Sequence, residues 1–460
     1  MAETRREKDF LGEVDVPADA CFGVQTWRAV QNFPISGLRA PAVFHRAFAE
    51  IKKAAALTHK ELGALDPKLA DAIAQAADEV IMGRHNDQFV VDVFQAGAGT
   101  SQNMNVNEVL ANRAAEILGG RRGDYKLVHP NDHVNMGQST NDVYPTAMRV
   151  AALLMLPEFL SELRGLAAAL RRKADEFRAV AKSGRTHLQD AVPVTLGQEF
   201  SAYAEAVAAA AEHVQQESAP LRRLGIGGSA AGTGVNTARG YRRVVIRRLS
   251  EQTGLSLMPA KNLFEAMQSM APFVRLSGAL RGTAIEIGRI SNDLRLLASG
   301  PTTGLGEITL PAVQPGSSIM PGKVNPVIAE CMNMICFQVA GNDACIAQAA
   351  AAGQMELNVM MPVINYNVLS SVQILTNGCR MLRERCVEGI EADEARCRAY
   401  LDGSLGLATV LNPVIGYHKA AEVAREAAAT GKTIRQVVLE KGIMSEAELD
   451  RLLEKSLGGE

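Results

Sequence analysis

The sequence lacks any apolar run near the ~20 residues that a membrane-spanning helix needs, and its first segment, Met1–Asp9, is charged and without an apolar core. The segment is therefore not typical of a signal peptide. Charges of the two signs nearly cancel, with a formal net charge of −2. This balance gives no electrostatic reason to expect a nucleic acid or a membrane surface as a partner. We expect a cytoplasmic protein.

Cysteine is also scarce, with 7 in 460 residues, and no two have the CxxC spacing. The number is odd, and Cys331, Cys336 and Cys345 lie in apolar helical surroundings, so free thiols in a reducing compartment are expected. His129 and His133 have HxxxH spacing, but Pro130 between them indicates a loop. The two imidazoles are therefore not expected to share a helical face, and no metal site is predicted.

Aromatic residues make up only 5% of the chain, whereas alanine is abundant. This composition favours helices that pack closely on helices, so the predicted fold class is mainly α. The apolar periodicity predicts two helices near the start, Val43–Leu62 and Asp66–Met82, and a third at Val109–Leu118. We divide the chain into an N-terminal domain (1–140), a central helical-bundle domain (141–395) and a small C-terminal helical domain (396–460).

The central domain contains five long predicted helices, which indicates a five-helix bundle. One begins at Val143, and the others are Gly197–Leu224, Phe273–Leu297, Val327–Ala350 and Met355–Ile390. The run Val359–Ile364 is apolar on more than one face, which favours an oligomer with a shared helical core over a single bundle with one wet side. Short helices are predicted in the C-terminal domain, at Leu401–Leu411, Tyr417–Thr430, Ile434–Lys441 and Ser445–Leu453.

One loop stands out against this helical background. The segment Gly316–Pro326 reads GSSIMPGKVNP, and its glycines and prolines exclude a regular helix or strand. It offers two hydroxyls, backbone N–H groups, an ammonium and a carboxamide in close succession. Such a set suits a small anion, or a charge that develops during a reaction. A tight turn between domains is the alternative explanation.

Three further polar segments are predicted to be loops beside helices: Gly99–Asn103, Gln138–Asp142 and Gly184–Asp190. None of the four segments contains the GxSxG signature of a serine hydrolase, although a triad assembled across segments remains an alternative. The glycine-rich run Gly225–Gly234 lacks the Lys-Ser/Thr of a phosphate-binding loop and a preceding strand. We interpret that run as a loop with close backbone packing.

These polar segments resemble shared regions of the fumarase/aspartase superfamily. The quoted loop GSSIMPGKVNP is similar to the signature of that family, and three other stretches resemble it in the same order along the chain: GAGTSQNMNVNEVLANR, HPNDHVNMGQSTND and GRTHLQDAVPVTLGQE. The resemblance covers nearly the whole chain. It implies the three-domain fold of that family, with four five-helix bundles forming a 20-helix core in a homotetramer, and active sites shared by three subunits.

The resemblance also implies roles for individual residues. Ser317 would be the general base, and His187 would be the second catalytic residue and line the substrate site. The substrate-binding residues would be Thr100, Ser139, Thr140 and Ser318 at the carboxylate beside the reacting carbon, Lys323 and Asn325 at the other carboxylate, and Asn141 and Thr186 on the remaining side. No metal ligand and no organic cofactor are implied, and activation by a divalent cation is left open.

The expected reaction is the reversible deamination of L-aspartate to fumarate and ammonia, by serine-base proton abstraction through an aci-carboxylate intermediate. Four stretches favour it over the alternative, the dehydration of malate to fumarate by a class II fumarase: EKDFLGE, QSTND, NDLRLLASGP and ELNVMMPVI. A non-catalytic structural protein on this scaffold, as lens crystallins of the wider superfamily are, is a third possibility. Gly137, Thr302–Thr303 and Met361 depart from common residues of the family, which leaves a relaxed substrate range open.

Overall fold

The computed structural model describes residues 3–457, and most of them are helical. The helices are α1 (Val24–Asn32), α2 (Ala42–Glu61), α3 (Pro67–Ile81), α4 (Thr100–Ile117), α5 (Thr140–Glu176), α6 (Leu196–Ser218), α7 (Tyr241–Thr253), α8 (Leu263–Gln268), α9 (Ala271–Leu297), α10 (Val327–Ala351), α11 (Met361–Arg385), α12 (Glu394–Gly403), α13 (Ala408–Ile415), α14 (Tyr417–Thr430), α15 (Ile434–Glu440) and α16 (Glu446–Leu457). The mainly α prediction is confirmed.

In residues 3–457, the strands form four two-stranded sheets. They are β1 (Thr4–Asp9) with β2 (Gly12–Pro17), β3 (Ala181–Thr186) with β4 (Gln189–Thr195), β5 (Arg223–Leu224) with β6 (Met258–Pro259), and β7 (Ile308–Thr309) with β8 (Glu391–Ala392). Three of the pairs are antiparallel, and β5 and β6 are parallel. None of the helices in residues 3–457 is both long enough and apolar enough to cross a membrane.

The chain divides into two compact units. Unit 1 comprises residues 1–160, 213–282 and 338–374, and unit 2 comprises residues 161–212, 283–337 and 375–460. Each of the long helices α5, α6, α9, α10 and α11 contributes residues to both units. The three predicted domain ranges describe a different partition, and they stay a prediction, as does the five-helix bundle.

In unit 1, α2 packs against α3 and α7. The alanines of α2 and α3 are buried, so the helix backbones approach closely. At one end of α2, the rings of Phe44, Phe48 and Tyr144 meet edge to face, with centroids 5.0 to 5.7 Å apart. Asp66 caps α3 by accepting hydrogen bonds from two backbone N–H groups, and Pro67 occupies the first helical position.

A buried carboxylate holds the start of α1. Glu108 on α4 is 1% exposed and accepts hydrogen bonds from the backbone N–H groups of Gly23, Gln25 and Thr26 at 2.9 to 3.0 Å. The Thr26 hydroxyl donates to it as well, at 2.5 Å. These donors include N–H groups that the first turn of a helix leaves without an internal partner. Burial nevertheless raises the pKa of Glu108 to about 7.

In unit 2, the C-terminal helices have their own apolar core, to which Leu411, Ile434, Val437 and Val438 contribute fully buried side chains. Thr433 and Gln436 form a capping box at the start of α15. Ser445 and Glu448 form the corresponding reciprocal hydrogen bonds at the start of α16. The predicted helices Tyr417–Thr430, Ile434–Lys441 and Ser445–Leu453 are confirmed, because here apolar periodicity and capping residues agree.

Other boundaries differ from the predictions. Helix α4 begins at Thr100, nine residues before the predicted start, because amide side chains of its first turns are held by tertiary hydrogen bonds. The stretch Gly184–Asp190 is part of a β-hairpin and not a loop beside a helix. Helix α11 is shorter than predicted, since residues before Met361 form turns. The predicted helix Leu401–Leu411 is two helices, α12 and α13, separated by a 3₁₀ turn.

Candidate active site

Two helix starts lie side by side in unit 1. Thr100 and Thr140 are the first residues of α4 and α5, and their hydroxyl oxygens are 3.2 Å apart. The Asn103 side chain donates to the Thr140 hydroxyl at 3.0 Å. The N-terminus of a helix presents backbone N–H groups and a partial positive charge. The arrangement can therefore hold an anion next to two hydroxyl groups.

Glycine at position 99 allows this close approach. Gly99 has φ of +94°, and a Cβ there would lie 2.1 Å from the Tyr144 ring, so no other residue fits without displacement. The Tyr144 hydroxyl donates to Gln102 at 2.5 Å. The first turn of α4 and the first turn of α5 are thus held together by direct side-chain contacts.

Ser139 and Asp142 cap the start of α5. The Ser139 Oγ accepts a hydrogen bond from the N–H of Asn141 at 3.1 Å, and Asp142 Oδ1 accepts from the N–H of Ser139 at 3.0 Å. Ser139 thus caps the first turn of α5, and Asp142, three residues further on, binds back to the Ser139 N–H as the third helical residue of a capping box does. The Asn141 side chain donates to the carbonyl of Ala230 at 2.8 Å, which leaves one of its two amide hydrogens for another acceptor.

The glycine-rich run Gly225–Gly234 is bound to the same cap. The backbone N–H groups of Gly227 and Ser229 donate to Asp142 Oδ2 at 2.9 and 3.0 Å. Because a carboxylate of the chain occupies these N–H groups, the run is a packing loop, in agreement with our interpretation. Burial raises the pKa of Asp142 to about 6, although its hydrogen bonds and Lys52 oppose that change.

A fully buried lysine lies beneath this region. Lys52 is 0% exposed, and its Nζ donates to Asn135 Oδ1 at 2.8 Å and to Gln138 Oε1 at 3.0 Å. Asn103 and Asn107 of α4 donate to the same Asn135 oxygen. The amides of α4 therefore join the helix to its neighbours. Sequence reasoning missed Lys52, since a lysine in an alanine-rich helix is usually a surface residue.

The two histidines of the HxxxH pair use their ring nitrogens locally. A π-helical turn covers Pro130–Val134. The backbone N–H of His129 donates to Nδ1 of the His133 ring at 2.9 Å. His129 Nδ1 in turn accepts from the backbone N–H groups of Asn131 and Asp132. Within residues 3–457, no group of three or more His, Cys, Asp or Glu residues is arranged to hold a metal ion.

In unit 2, the loop Gly316–Pro326 is closed on itself. The Gly316 N–H donates to the carbonyl of Lys323 at 2.7 Å, and the Asn325 side chain donates to the carbonyl of Gly316 at 2.7 Å. A Cβ at Gly316 would lie 2.7 Å from the Lys323 oxygen and 2.8 Å from the Asn325 nitrogen. Glycine is therefore required at this position for the loop to close.

The closed loop presents the hydroxyl of Ser317 to two backbone donors. Its Oγ accepts hydrogen bonds from the N–H groups of Ile319 at 3.2 Å and Met320 at 3.0 Å. N–H groups that point at an oxygen stabilise negative charge on it. The neighbouring side chains of Ser318 and Lys323 are exposed. Both therefore remain available to a ligand of this loop.

A cavity of about 760 Å³ lies beside the loop in unit 2. Lys323 and Asn325 line it on the loop side, and Arg295 and Arg396 add two more positive charges, against one carboxylate from Asp393. Its size is within the range of small-molecule sites. The excess of positive charge favours an anionic occupant.

The third predicted segment is the tip of the β3–β4 hairpin. Thr186 pairs with Gln189, so His187 and Leu188 form a two-residue turn. Both have positive φ, 53° and 61°, as a type I′ turn requires. That turn normally contains Asn or Gly, and ordinary L-residues are strained in it. The side chains of Thr186 and His187 are exposed, so the strained turn presents an imidazole and a hydroxyl to the outside of the hairpin.

A buried ion network fixes the base of this hairpin. Lys182 of β3, 1% exposed, forms ion pairs with Glu307 at 2.7 Å and with Glu199 of α6 at 2.8 Å. Arg185 of β3 lies 2.9 Å from Glu307 and over the ring of Tyr400. Glu307 is 0% exposed and precedes β7. The network therefore ties the hairpin to two other elements of unit 2.

Burial in this network raises the pKa of Glu199, and Lys182 opposes that change. No residue of the network was selected from the sequence. Glu307 is remote along the chain from Lys182 and Arg185, so no local pattern in the sequence shows that these charges meet.

The predicted site residues thus fall into two sets. Thr100, Ser139, Thr140 and Asn141 come together in unit 1. Ser317, Ser318, Lys323 and Asn325 share one loop of unit 2, and Thr186 and His187 share the hairpin tip of the same unit. Among the described residues, no hydrogen bond joins the hairpin tip to Ser317 or Ser318. Their roles toward a substrate stay predictions.

Comparison with known proteins identifies the class of the chain. Residues 12–341 match the family described as Lyase, and residues 407–456 match the family described as Fumarase C C-terminus. The chain is 48% identical to the aspartate ammonia-lyase of Bacillus subtilis, covering 98% of this chain and 95% of the relative. It is 49% identical to the class II fumarate hydratase of Thermosynechococcus vestitus, covering 98% and 96%.

Solved structures agree with this similarity. The chain superposes on the fumarate lyase:delta crystallin from Brucella melitensis bound to cobalt with a TM-score of 0.95 and 51% identity, over 99% of both chains. For the class II fumarase from Schistosoma mansoni, the TM-score is 0.94 and the identity 38%, over 99% of this chain and 98% of that one. The chain is a lyase and belongs to the fumarase/aspartase superfamily, as the sequence motifs predicted.

Proposed function

We propose that the chain catalyses the reversible deamination of L-aspartate to fumarate and ammonia. The observation that carries the proposal is the Ser317 hydroxyl, which accepts two backbone N–H groups. A serine is a weak base at its ordinary pKa, so it needs donors that stabilise its alkoxide. These two N–H groups are placed to do so, which supports Ser317 as the base that removes the β-proton of aspartate.

Loss of that proton delocalises negative charge into the adjacent carboxylate, which becomes a dianionic aci-form. Donors that meet this transient charge lower the barrier, since they bind the intermediate more strongly than the substrate. The paired helix starts at Thr100 and Thr140, with the hydroxyls of Ser139 and Ser318, support that role. We assign the far carboxylate to Lys323 and Asn325.

The remaining predicted residues would surround the departing amine. Asn141 retains one free amide hydrogen, and the exposed Thr186 and His187 occupy the hairpin tip. The amino group of aspartate is already protonated and leaves without a general acid, whereas water leaving from malate needs one. The reaction requires no organic cofactor in this proposal, and divalent-cation activation stays open.

We further propose that the active form is a cytoplasmic homotetramer in which three subunits build each site. Helix α10 supports association, because Met334 and Phe337 lie one turn apart and are 58% and 70% exposed. Gly278 and Gly282 of α9 have open space where a Cβ would be, which suits close packing of another helix. The seven free cysteines fit a reducing compartment. Light scattering of the purified protein measures the assembly directly.

Hydration of fumarate to malate is the second candidate, since the fumarate hydratase relative is as similar as the aspartate ammonia-lyases. A paired assay decides between them by following fumarate in separate reactions with L-aspartate and L-malate. We expect turnover of aspartate with little turnover of malate. Absence of fumarate from aspartate, together with rapid hydration of fumarate, would contradict the proposal.

The Ser317→Ala variant tests the mechanism. We expect kcat to fall by at least about a thousandfold, as for removal of a general base together with its stabilised alkoxide, while substrate affinity is retained. Ser456→Ala is a matched control, because among residues 3–457 the Ser456 hydroxyl donates only to the Leu453 carbonyl at the end of α16. Unchanged turnover in Ser317→Ala would remove Ser317 from the mechanism.

A further inference from the structure

Unit 1 contains a second cavity, of about 330 Å³, that shares no residue with the proposed substrate site. Its charged lining consists of four cations, Arg149, Arg223, Lys261 and Arg275, and one acid, Glu265. The three cations other than Arg149 are exposed, and no ion pair engages any of them within the described part of the chain. The cavity therefore carries a local excess of positive charge.

Arg149 is the unusual member of this lining. It belongs to α5 and is only 2% exposed, and its Nε has no hydrogen-bond partner among residues 3–457. The guanidinium lies 5.3 Å from the centre of the Phe273 ring, but a cation–π contact replaces only part of the lost hydration. Glu265 attracts it electrostatically without forming an ion pair. Buried charges in proteins are normally paired.

We infer that this cavity binds a phosphate-bearing small molecule, with Arg149 at its floor and Lys261 and Arg275 at its rim. A phosphate monoester carries nearly two negative charges and three acceptor oxygens. It can therefore engage the planar guanidinium and the rim cations at the same time. The cavity volume is at the lower end of the range for small-molecule sites.

The occupied cavity would also restrain the segment that follows Arg223. Four residues further on, Gly227 donates to Asp142 of α5, and Ser229 does the same. Arg149 is on that same helix, and Arg223 also lines the cavity, so one ligand would contact both of the segments that these hydrogen bonds join. We therefore expect amide hydrogen exchange in residues 223–230 to slow when the cavity is occupied.

Calorimetric titration of the purified full-length protein with inorganic phosphate and with pyrophosphate, at low ionic strength, tests the inference. We expect saturable binding with a Kd below about 1 mM for pyrophosphate, and slower exchange in residues 223–230. Arg149→Met retains an unbranched apolar side chain but removes the guanidinium and its charge, and it should weaken binding at least tenfold. Arg84→Gln removes an exposed charge of unit 1 outside the cavity and should bind as the wild type does.

The rim provides a second variant, Lys261→Gln with Arg275→Gln, whose exposed positions do not endanger folding. This rim variant should also weaken pyrophosphate binding at least tenfold. If Arg149→Met does not fold, the rim variant alone tests whether the cavity binds pyrophosphate. Lys323→Gln separates this cavity from the proposed substrate site and should retain pyrophosphate binding.

Three results would overturn the inference. The first is that the wild type shows no saturable binding of pyrophosphate up to 10 mM (about −2.7 kcal/mol at 25 °C). The second is that the wild type and the rim variant bind pyrophosphate equally well. The third is that Lys323→Gln loses pyrophosphate binding. Tighter binding of succinate than of pyrophosphate at the same residues would overturn the assignment to phosphate. The inference does not depend on the proposed reaction.

Discussion

Replacing Lys182 by methionine removes the central cation of the buried network at the base of the β3–β4 hairpin. The change leaves Glu307, which is 0% exposed, with Arg185 alone, and it takes the ammonium away from Glu199. Breaking a buried ion pair by removing one partner costs about 3–5 kcal/mol, because an uncompensated charge stays in the interior. We expect a loss of that size in the free energy of unfolding.

Urea denaturation at neutral pH and at equal protein concentration measures this loss, since association would also contribute to stability. Lys432→Met is the matched control, because the Lys432–Glu440 pair is 42% and 54% exposed and exposed pairs contribute about 0–1 kcal/mol. Hydrogen exchange in residues 181–195 should accelerate in Lys182→Met only. A loss below about 1 kcal/mol would refute the reasoning that this network holds the hairpin.

Three other predictions concern single residues. Gly316→Ala places a Cβ against the Lys323 carbonyl, so the loop cannot close. The kcat for aspartate should therefore fall at least about tenfold. Gly403→Ala is the control, because a Cβ at Gly403 meets open space, and it should leave steady-state kinetics unchanged. Burial lowers the pKa of Lys52 from 10.5 to about 7. Between these pH values the unfolded chain binds more protons than the folded one, so the free energy of unfolding rises with pH. Urea denaturation at pH 7 to 9 should show the wild type gaining up to about 1.4 kcal/mol per pH unit relative to Lys52→Met, and a difference that does not change with pH would contradict the low pKa. Glu108→Ala leaves the N–H groups at the start of α1 without an acceptor, so it should lower the free energy of unfolding by about 3 kcal/mol or more. A decrease of less than about 1 kcal/mol would contradict this prediction.

The long helices could be predicted because their apolar residues recur every three or four positions. Phe273–Leu297 and Val327–Ala350 agree with α9 and α10 to within two residues at either end. The start of α4 could not be predicted in this way. Its asparagines favour turns over helices in isolation, and only their hydrogen bonds to Asn135 and to the segment before the helix make a helical first turn favourable.

The hairpin escaped prediction for a related reason. Strand β3 reads AKSGRT and has no alternation of apolar and polar residues. Its buried members include Lys182 and Ser183, which are paired with distant residues of unit 2. A strand whose interior face is ionic does not produce the pattern that predicts strands. The fold of this segment depends on contacts that no local window contains.

The candidate site, too, has parts that the sequence predicts and parts that it does not. Its loops were visible because glycine, hydroxyl and amide residues are concentrated in short runs, and the geometry of the Ser317 and Ser139 turns follows from those local residues. The supporting charges were not visible. Lys52 and Glu307 each lie in segments whose neighbours give no sign of burial, and their partners are remote along the chain.

With the role proposed for His187, the turn at His187 and Leu188 would limit how far this protein can be stabilised without loss of activity. An L-residue held at positive φ costs about 1–2 kcal/mol, and Leu188 is 69% exposed, so glycine there would relieve strain at little loss of packing. The same reasoning applied to His187 would remove the imidazole. Selection for thermal stability would therefore favour glycine at both positions of the turn, whereas selection for activity would retain histidine at position 187.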